Sequence, residues 1–145
     1  MSNRVKEVVI VSAIRTPIGI YKGSLKNIKS DQLGSIVIKE VLKKSKFTGD
    51  EIDEIIMGQV LTAGAGQNPA RQAAVNAGIP ISKPAHIVNQ VCGSGLRAVI
   101  SGYQSIKLGE SNNVISGGQE SMSLAPHSIF YRDEKKILED KLLDT

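Results

Sequence analysis

Cys92 is the only cysteine in 145 residues, and it is followed directly by Gly93, Ser94 and Gly95. A thiol in such company is a candidate nucleophile for covalent acyl transfer. An apolar run, His86 to Val91 (HIVNQV), reads as a strand leading into it, and Leu96 to Leu108 reads as a helix leading away and stopped by Gly109. Glycines at a strand-to-helix turn allow a sharp bend and a close approach of a substrate. The start of a helix offers unpaired N–H groups and a positive dipole end. Those features favour a thiolate over a thiol and suit a developing oxyanion. A lone cysteine is also often a small buried apolar residue, and the residues alone leave both readings open.

Partners for the thiol are harder to find. The two histidines are His86 and His127. Six extended residues from His86 to Cys92 span about 20 Å, too far for a hydrogen bond. His127 falls after the last strand, and the sequence does not fix its distance from Cys92. Ser94 lacks the Gly-x-Ser-x-Gly spacing of a serine-hydrolase elbow. The glycines at 64 and 66 have Pro69 where a dinucleotide loop needs its third glycine, so a dinucleotide site is rejected. No metal-ligating set stands out.

The elements that must hold Cys92 follow from periodicity. Glu7 to Ala13 (EVVIVSA) is a continuous apolar run and is expected to be a strand buried on both faces. Ser30 is expected to cap a helix whose apolar positions are Leu33, Ile36, Val37, Val41 and Leu42. Thr48-Gly-Asp-Glu51 has capping-box spacing. Glu54 to Val60 is a second strand, Ala63 to Gln67 a loop, and Asn68-Pro69 opens a helix with a small face at Ala70, Ala73, Ala74 and Ala77, ended by Gly78. Asn113 to Ser116 is the last strand, running into Gly117-Gly118. Arg132 to Thr145 is expected to form an amphipathic helix. The alternation of strand and helix implies an α/β fold, a mostly parallel sheet with helices on both faces and right-handed crossovers. Ligands of such sheets bind beyond the carboxyl ends of the strands, which is where Cys92 falls.

Composition narrows the classes. The apolar fraction of 41% and charged fraction of 22% are those of a globular domain. Net charge is +4, but Lys and Arg are scattered rather than gathered into the basic face that nucleic acid requires. No apolar run reaches the roughly 18 residues of a membrane span, and the N-terminal apolar stretch is too short for a signal peptide. One cysteine makes no internal disulfide, which fits a cytoplasmic protein.

Four segments in order carry a resemblance. Asn89-Gln-Val-Cys92-Gly-Ser-Gly-Leu-Arg97-Ala resembles the nucleophile segment of thiolases, the acetyl-CoA acetyltransferase family. Ser12-Ala-Ile-Arg15-Thr-Pro17-Ile-Gly19 resembles its first strand and loop, and Gly66-Gln-Asn-Pro69-Ala-Arg71-Gln-Ala its following loop and helix. Gly117-Gly-Gln-Glu120-Ser-Met-Ser-Leu-Ala-Pro126-His127 resembles the entry to its substrate-covering loop domain.

The resemblance implies a two-step acyl transfer between acetyl-CoA molecules, or longer acyl-CoA, through an acyl group on Cys92. CoA thioesters are then substrates, with no resident cofactor. It implies the N-terminal half of the thiolase-type fold over residues 1–118, the start of the loop domain over 119–145, and a homo-oligomer. Family members are longer. They carry an activating Gly-x-His and a second Cys-Gly-x-Gly motif near the C-terminus, and neither is in this sequence. The chain is accordingly expected to be the N-terminal part of something longer and not to complete the reaction alone. Two alternatives stay open: a ketoacyl-synthase-like condensing enzyme, and an inactive truncated or structural fragment.

Overall fold

The structure is a computed structural model, described for residues 7–128. Three strands form a parallel sheet in the order β2-β1-β3, with β1 at Glu54–Gly58, β2 at Ala85–Val88 and β3 at Val114–Gly118. Three helices accompany them: α1 at Ser30–Ser45, α2 at Pro69–Asn76 and α3 at Ser94–Leu108. The central strand is buried on both faces, with Ile55, Ile56 and Met57 all at 1% exposure or less.

Those faces take different cover. Ile55 and Met57 join a cluster with Ile38 of α1 and Ala70, Ala73 and Ala74 of α2. Ile56 alternates to the other face, where its ladder neighbour Ser116 meets Gly102 of α3. A Cβ at Gly102 would fall 2.3 Å from the Ser116 hydroxyl, so α3 sits directly on the strands. Helices therefore cover both faces, as the strand–helix alternation predicts.

The small face of α2 has the expected consequence. Its alanines are fully buried and bring α1 close; a Cβ at Gly34 would meet the Ala73 Cβ at 3.0 Å. Asn68 caps α2 by accepting from the Arg71 N–H at 3.1 Å, and Pro69 occupies the first position. Gly78 ends it at φ +93°. The Thr48–Glu51 box forms a 3₁₀ turn, with the Glu51 carboxylate accepting from the Thr48 backbone N–H at 2.7 Å and hydroxyl at 2.8 Å.

Three expectations need correction. The cap of α1 is Lys29, not Ser30: Ser30 is the first helical residue, and the Gln32 side chain accepts from the Lys29 N–H at 3.0 Å. The buried stripe of α1 runs through Gly34, Ser35 and Ile38, while Ile36 faces outward; packing on the alanines of α2 selects the small side, which an apolar periodicity does not register.

The largest difference concerns Glu7–Ala13. The run makes no ladder among the described residues, and Val9, Ile10 and Val11 are 64–79% exposed. It forms one wall of a cleft of about 560 Å³ whose other walls are β3, α1 and α3. Apolar composition records a need for cover on both faces. It does not supply the ladder partner or the outer layer, and no described residue covers the outer side of these three side chains. The segment Arg132 to Thr145 lies outside the described residues.

Candidate active site

The site is built where β2 ends. The strand stops at Val88, three residues earlier than its apolar run suggests, because Asn89 turns the chain: its carboxamide oxygen accepts from the Val91 N–H at 3.0 Å. Val91 then takes φ +50°, a left-handed conformation that costs a β-branched residue of order 1–3 kcal/mol. Gly93 donates to the Gln90 carbonyl at 3.0 Å and Ser94 to the Val91 carbonyl at 3.1 Å, closing the bend. Cys92 stands at its apex, exposed.

Helix α3 starts two residues later. The Arg97 N–H reaches back to the Gly93 carbonyl at 2.9 Å. The sequence suggests that the N–H groups of this turn serve an oxyanion, but those of Gly93 and Ser94 are spent on closing the turn itself. The Ser94 side chain, almost fully buried, also turns inward: its hydroxyl accepts from Gln90 N–H at 2.8 Å and donates to the Val91 carbonyl at 2.6 Å.

The sheet below is shaped to receive this turn. Gly58 and Gly118 end β1 and β3, and Gly95 approaches the position of a Gly118 Cβ to 3.3 Å. Just beyond them, Gln119 donates its amide to the Gly58 carbonyl at 2.9 Å, and its side chain donates to the Gln59 side chain, also at 2.9 Å. Gln59 passes the chain on to the Leu61 carbonyl at 2.8 Å. Glu120 accepts from the N–H groups of Val60 at 2.8 Å and Leu61 at 3.3 Å. These contacts tie the carboxyl ends of β1 and β3 into one rim beside the Cys92 turn.

The family model described as thiolase, N-terminal domain, matches residues 8–145. The chain belongs to the thiolase family. It is 50% identical over 137 residues to an acetyl-CoA acetyltransferase of Paracoccus denitrificans, covering 94% of this chain and 35% of that protein. It is 51% identical over 138 residues to the cytosolic acetyl-CoA acetyltransferase of Rattus norvegicus, covering 95% and 35%. Among solved structures, the Acat5 thiolase from Ascaris suum in complex with coenzyme A superposes with TM-score 0.91 at 40% identity, over 96% of this chain and 36% of that one. The acetyl-CoA acetyltransferase of Bacillus anthracis gives 0.92 at 34% identity, over 99% and 36%. The chain thus spans about a third of the length of these thiolases.

Within the thiolase frame the sequence-selected residues divide. His86 lies on β2 opposite Ile56 in the ladder and diagonal to Glu54, with Nδ1 3.5 Å from a Glu54 carboxylate oxygen. That pair is at the opposite end of the sheet from Cys92, where Ser105 and Ser111 also donate to Glu54. Arg71 donates to the carbonyls of Ile81 and Lys83, and so braces the loop between α2 and β2. Arg15 is exposed and donates to the carbonyl of Thr16. His127 is exposed, past the second 3₁₀ turn. The 560 Å³ cleft has no wall formed by Cys92.

Sequence reasoning undervalued the rim. Ser94 drew notice as a neighbour of Cys92 and as a failed hydrolase nucleophile, Gln59 only as part of the Glu54–Val60 strand, and Gln119 and Glu120 as members of a matching segment. A signal was available: polar residues directly after apolar strands, beside glycines, must hydrogen-bond if buried.

Proposed function

We propose that this chain carries the acyl-accepting half of a thiolase-type acyl-CoA C-acyltransferase, with acetyl-CoA as its substrate. The observation behind this reading is the exposed thiol of Cys92 at the apex of a strand-to-helix turn, beyond the carboxyl ends of the strands, in a chain half identical to acetyl-CoA acetyltransferases.

The Cys92 sulfur attacks the thioester carbonyl carbon, the bond to the CoA sulfur breaks, and CoA leaves with the proton. The acetyl group then rests on Cys92. A second acetyl-CoA loses a proton from its α-carbon, the resulting carbanion attacks the acetyl carbonyl, a carbon–carbon bond forms, and the Cys92 sulfur departs. The products are acetoacetyl-CoA and free CoA, and the reverse order is thiolysis. CoA thioesters are substrates on this reading, and no resident cofactor takes part.

The second half-reaction needs a base for the α-carbon. No described histidine stands in the Cys92 turn, so residues 1–145 alone accept an acyl group without sustaining condensation. Residues 1–118 are read as the N-terminal α/β domain and 119–145 as the start of the loop domain of a cytoplasmic homo-oligomer. Exposed Leu96, Ile100 and Tyr103 on α3 fit burial by further thiolase sequence or a second copy.

The test is peptide mapping by mass spectrometry after mixing the protein with acetyl-CoA or malonyl-CoA and quenching in acid. One acetyl group on the Cys92 peptide, formed from acetyl-CoA and lost in Cys92→Ser, is expected. Modification confined to lysines, or productive turnover of the malonyl donor, overturns the reading.

A further inference from the structure

We infer that Ser94 is a positioning residue for acyl transfer: its hydroxyl locks Val91 in the left-handed conformation that presents Cys92, an inference that rests on the reading of Cys92 as acyl acceptor.

The argument starts from an improbable residue. Valine resists positive φ because its branched Cβ crowds the backbone, and glycine or asparagine normally fills such positions. Val91 nevertheless adopts φ +50° one residue before Cys92. Such a conformation persists only where its surroundings over-determine it. Here both backbone groups of Val91 are held by side chains. Asn89 accepts from its N–H at 3.0 Å, and Ser94 donates to its carbonyl at 2.6 Å.

Ser94 does more than close one bond. The same oxygen accepts from the Gln90 N–H at 2.8 Å, so a single hydroxyl spans the Gln90–Val91 segment from both sides. It is 4% exposed and has no freedom to exchange these bonds for water. The preceding strand and following helix are each anchored in the sheet, and the Gln90–Val91 segment is the joint between them. Releasing Ser94 lets Val91 relax toward negative φ and swings the Cys92 apex away from the rim formed by Gly58 and Gly118.

A residue that merely stabilised the fold would act on all chemistry at Cys92 alike, and glycine at 91 would not repair its loss. Positioning gives a different pattern. In Ser94→Ala, transfer of acetyl from acetyl-CoA to Cys92 is expected to fall about tenfold to hundredfold, while alkylation by iodoacetamide, a small reagent with no docking requirement, changes little. Val91→Gly placed in the Ser94→Ala background is expected to restore most of the transfer, because glycine takes positive φ without a lock. Val91 should show a strong intraresidue Hα–HN cross-peak by NMR in the parent chain and a weak one in Ser94→Ala.

Unchanged acetyl transfer in Ser94→Ala, or a double variant no better than the single one, overturns the assignment. The cross-peak separates two failures. If the parent chain takes up no acetyl, the reading of Cys92 fails; if the cross-peak is also unaltered by Ser94→Ala, the lock fails independently of it.

Discussion

Gly58 lies so close under the start of α3 that a Cβ at position 58 would stand 2.3 Å from the backbone carbonyl carbon of Ser94 and 2.5 Å from the Gly95 nitrogen. Both contacts are backbone, so no side chain can rotate to relieve them. Gly58→Ala must therefore lift α3 off the sheet and carry the Cys92 turn with it. The expected loss is about 1–3 kcal/mol, as for other overpacked sites, read as a lower urea midpoint with unchanged slope. A midpoint equal to that of the parent chain would show that α3 is not seated on Gly58.

Asn68 combines side-chain and backbone duties that different substitutions separate, and its side chain also donates to the Ala85 carbonyl at 2.7 Å. It caps α2 through Arg71 N–H, and it holds φ +46°. Asn68→Ala loses the cap and strains the backbone, and should cost about 0.5–2 kcal/mol. Asn68→Gly keeps the backbone freedom and should cost less. Thermal unfolding of the two variants should rank them in that order; the reverse ranking would contradict the capping geometry.

The Thr48–Glu51 box makes a pH-dependent contribution. Hydrogen bonds from the Thr48 backbone N–H and then from its hydroxyl hold the Glu51 carboxyl below its ordinary range. A depressed folded-state value means that the stabilisation is present above the unfolded-state value and is lost as pH falls through the folded one. NMR titration of the Glu51 side chain should give a midpoint below that of an unstructured glutamate. Thr48→Ala should raise it only partway, since the larger cause is the backbone N–H. A full return to the ordinary value in Thr48→Ala would assign the effect to the hydroxyl alone.

Val9, Ile10 and Val11 are exposed and join none of the described ladders, so their backbone amides have no ladder partners there. In hydrogen exchange of the native chain, these amides should exchange far sooner than those of Ile55 to Met57, which lie in the central strand. Equal protection of the two segments would mean that the run has entered the sheet beside β3.

Periodicity and capping chemistry made most of this fold legible. Asn68-Pro69, Gly78 and the Thr48–Glu51 spacing each encode a local geometry that needs no tertiary partner, and each appears as read. The failures lie where distant residues decide. Whether Glu7–Ala13 joins a ladder depends on cover that its own sequence does not contain. The inward stripe of α1 depends on the alanines of α2, which favour Gly34 over Ile36. At the candidate site, Cys92 stood out by residue type and glycine neighbours. The hydroxyl of Ser94 did not, because its value lies in closing a strained turn at Val91, and a sequence does not display φ.

The rate of acetyl transfer from acetyl-CoA to Cys92, followed by peptide mass spectrometry in the native and the urea-unfolded chain at one pH, bears most directly on the proposed role of this thiol. Transfer should be faster in the native chain, where the turn presents the sulfur at the start of α3. Transfer to Cys92 that is slower in the native chain, or that appears only after unfolding, would contradict the acyl-acceptor reading.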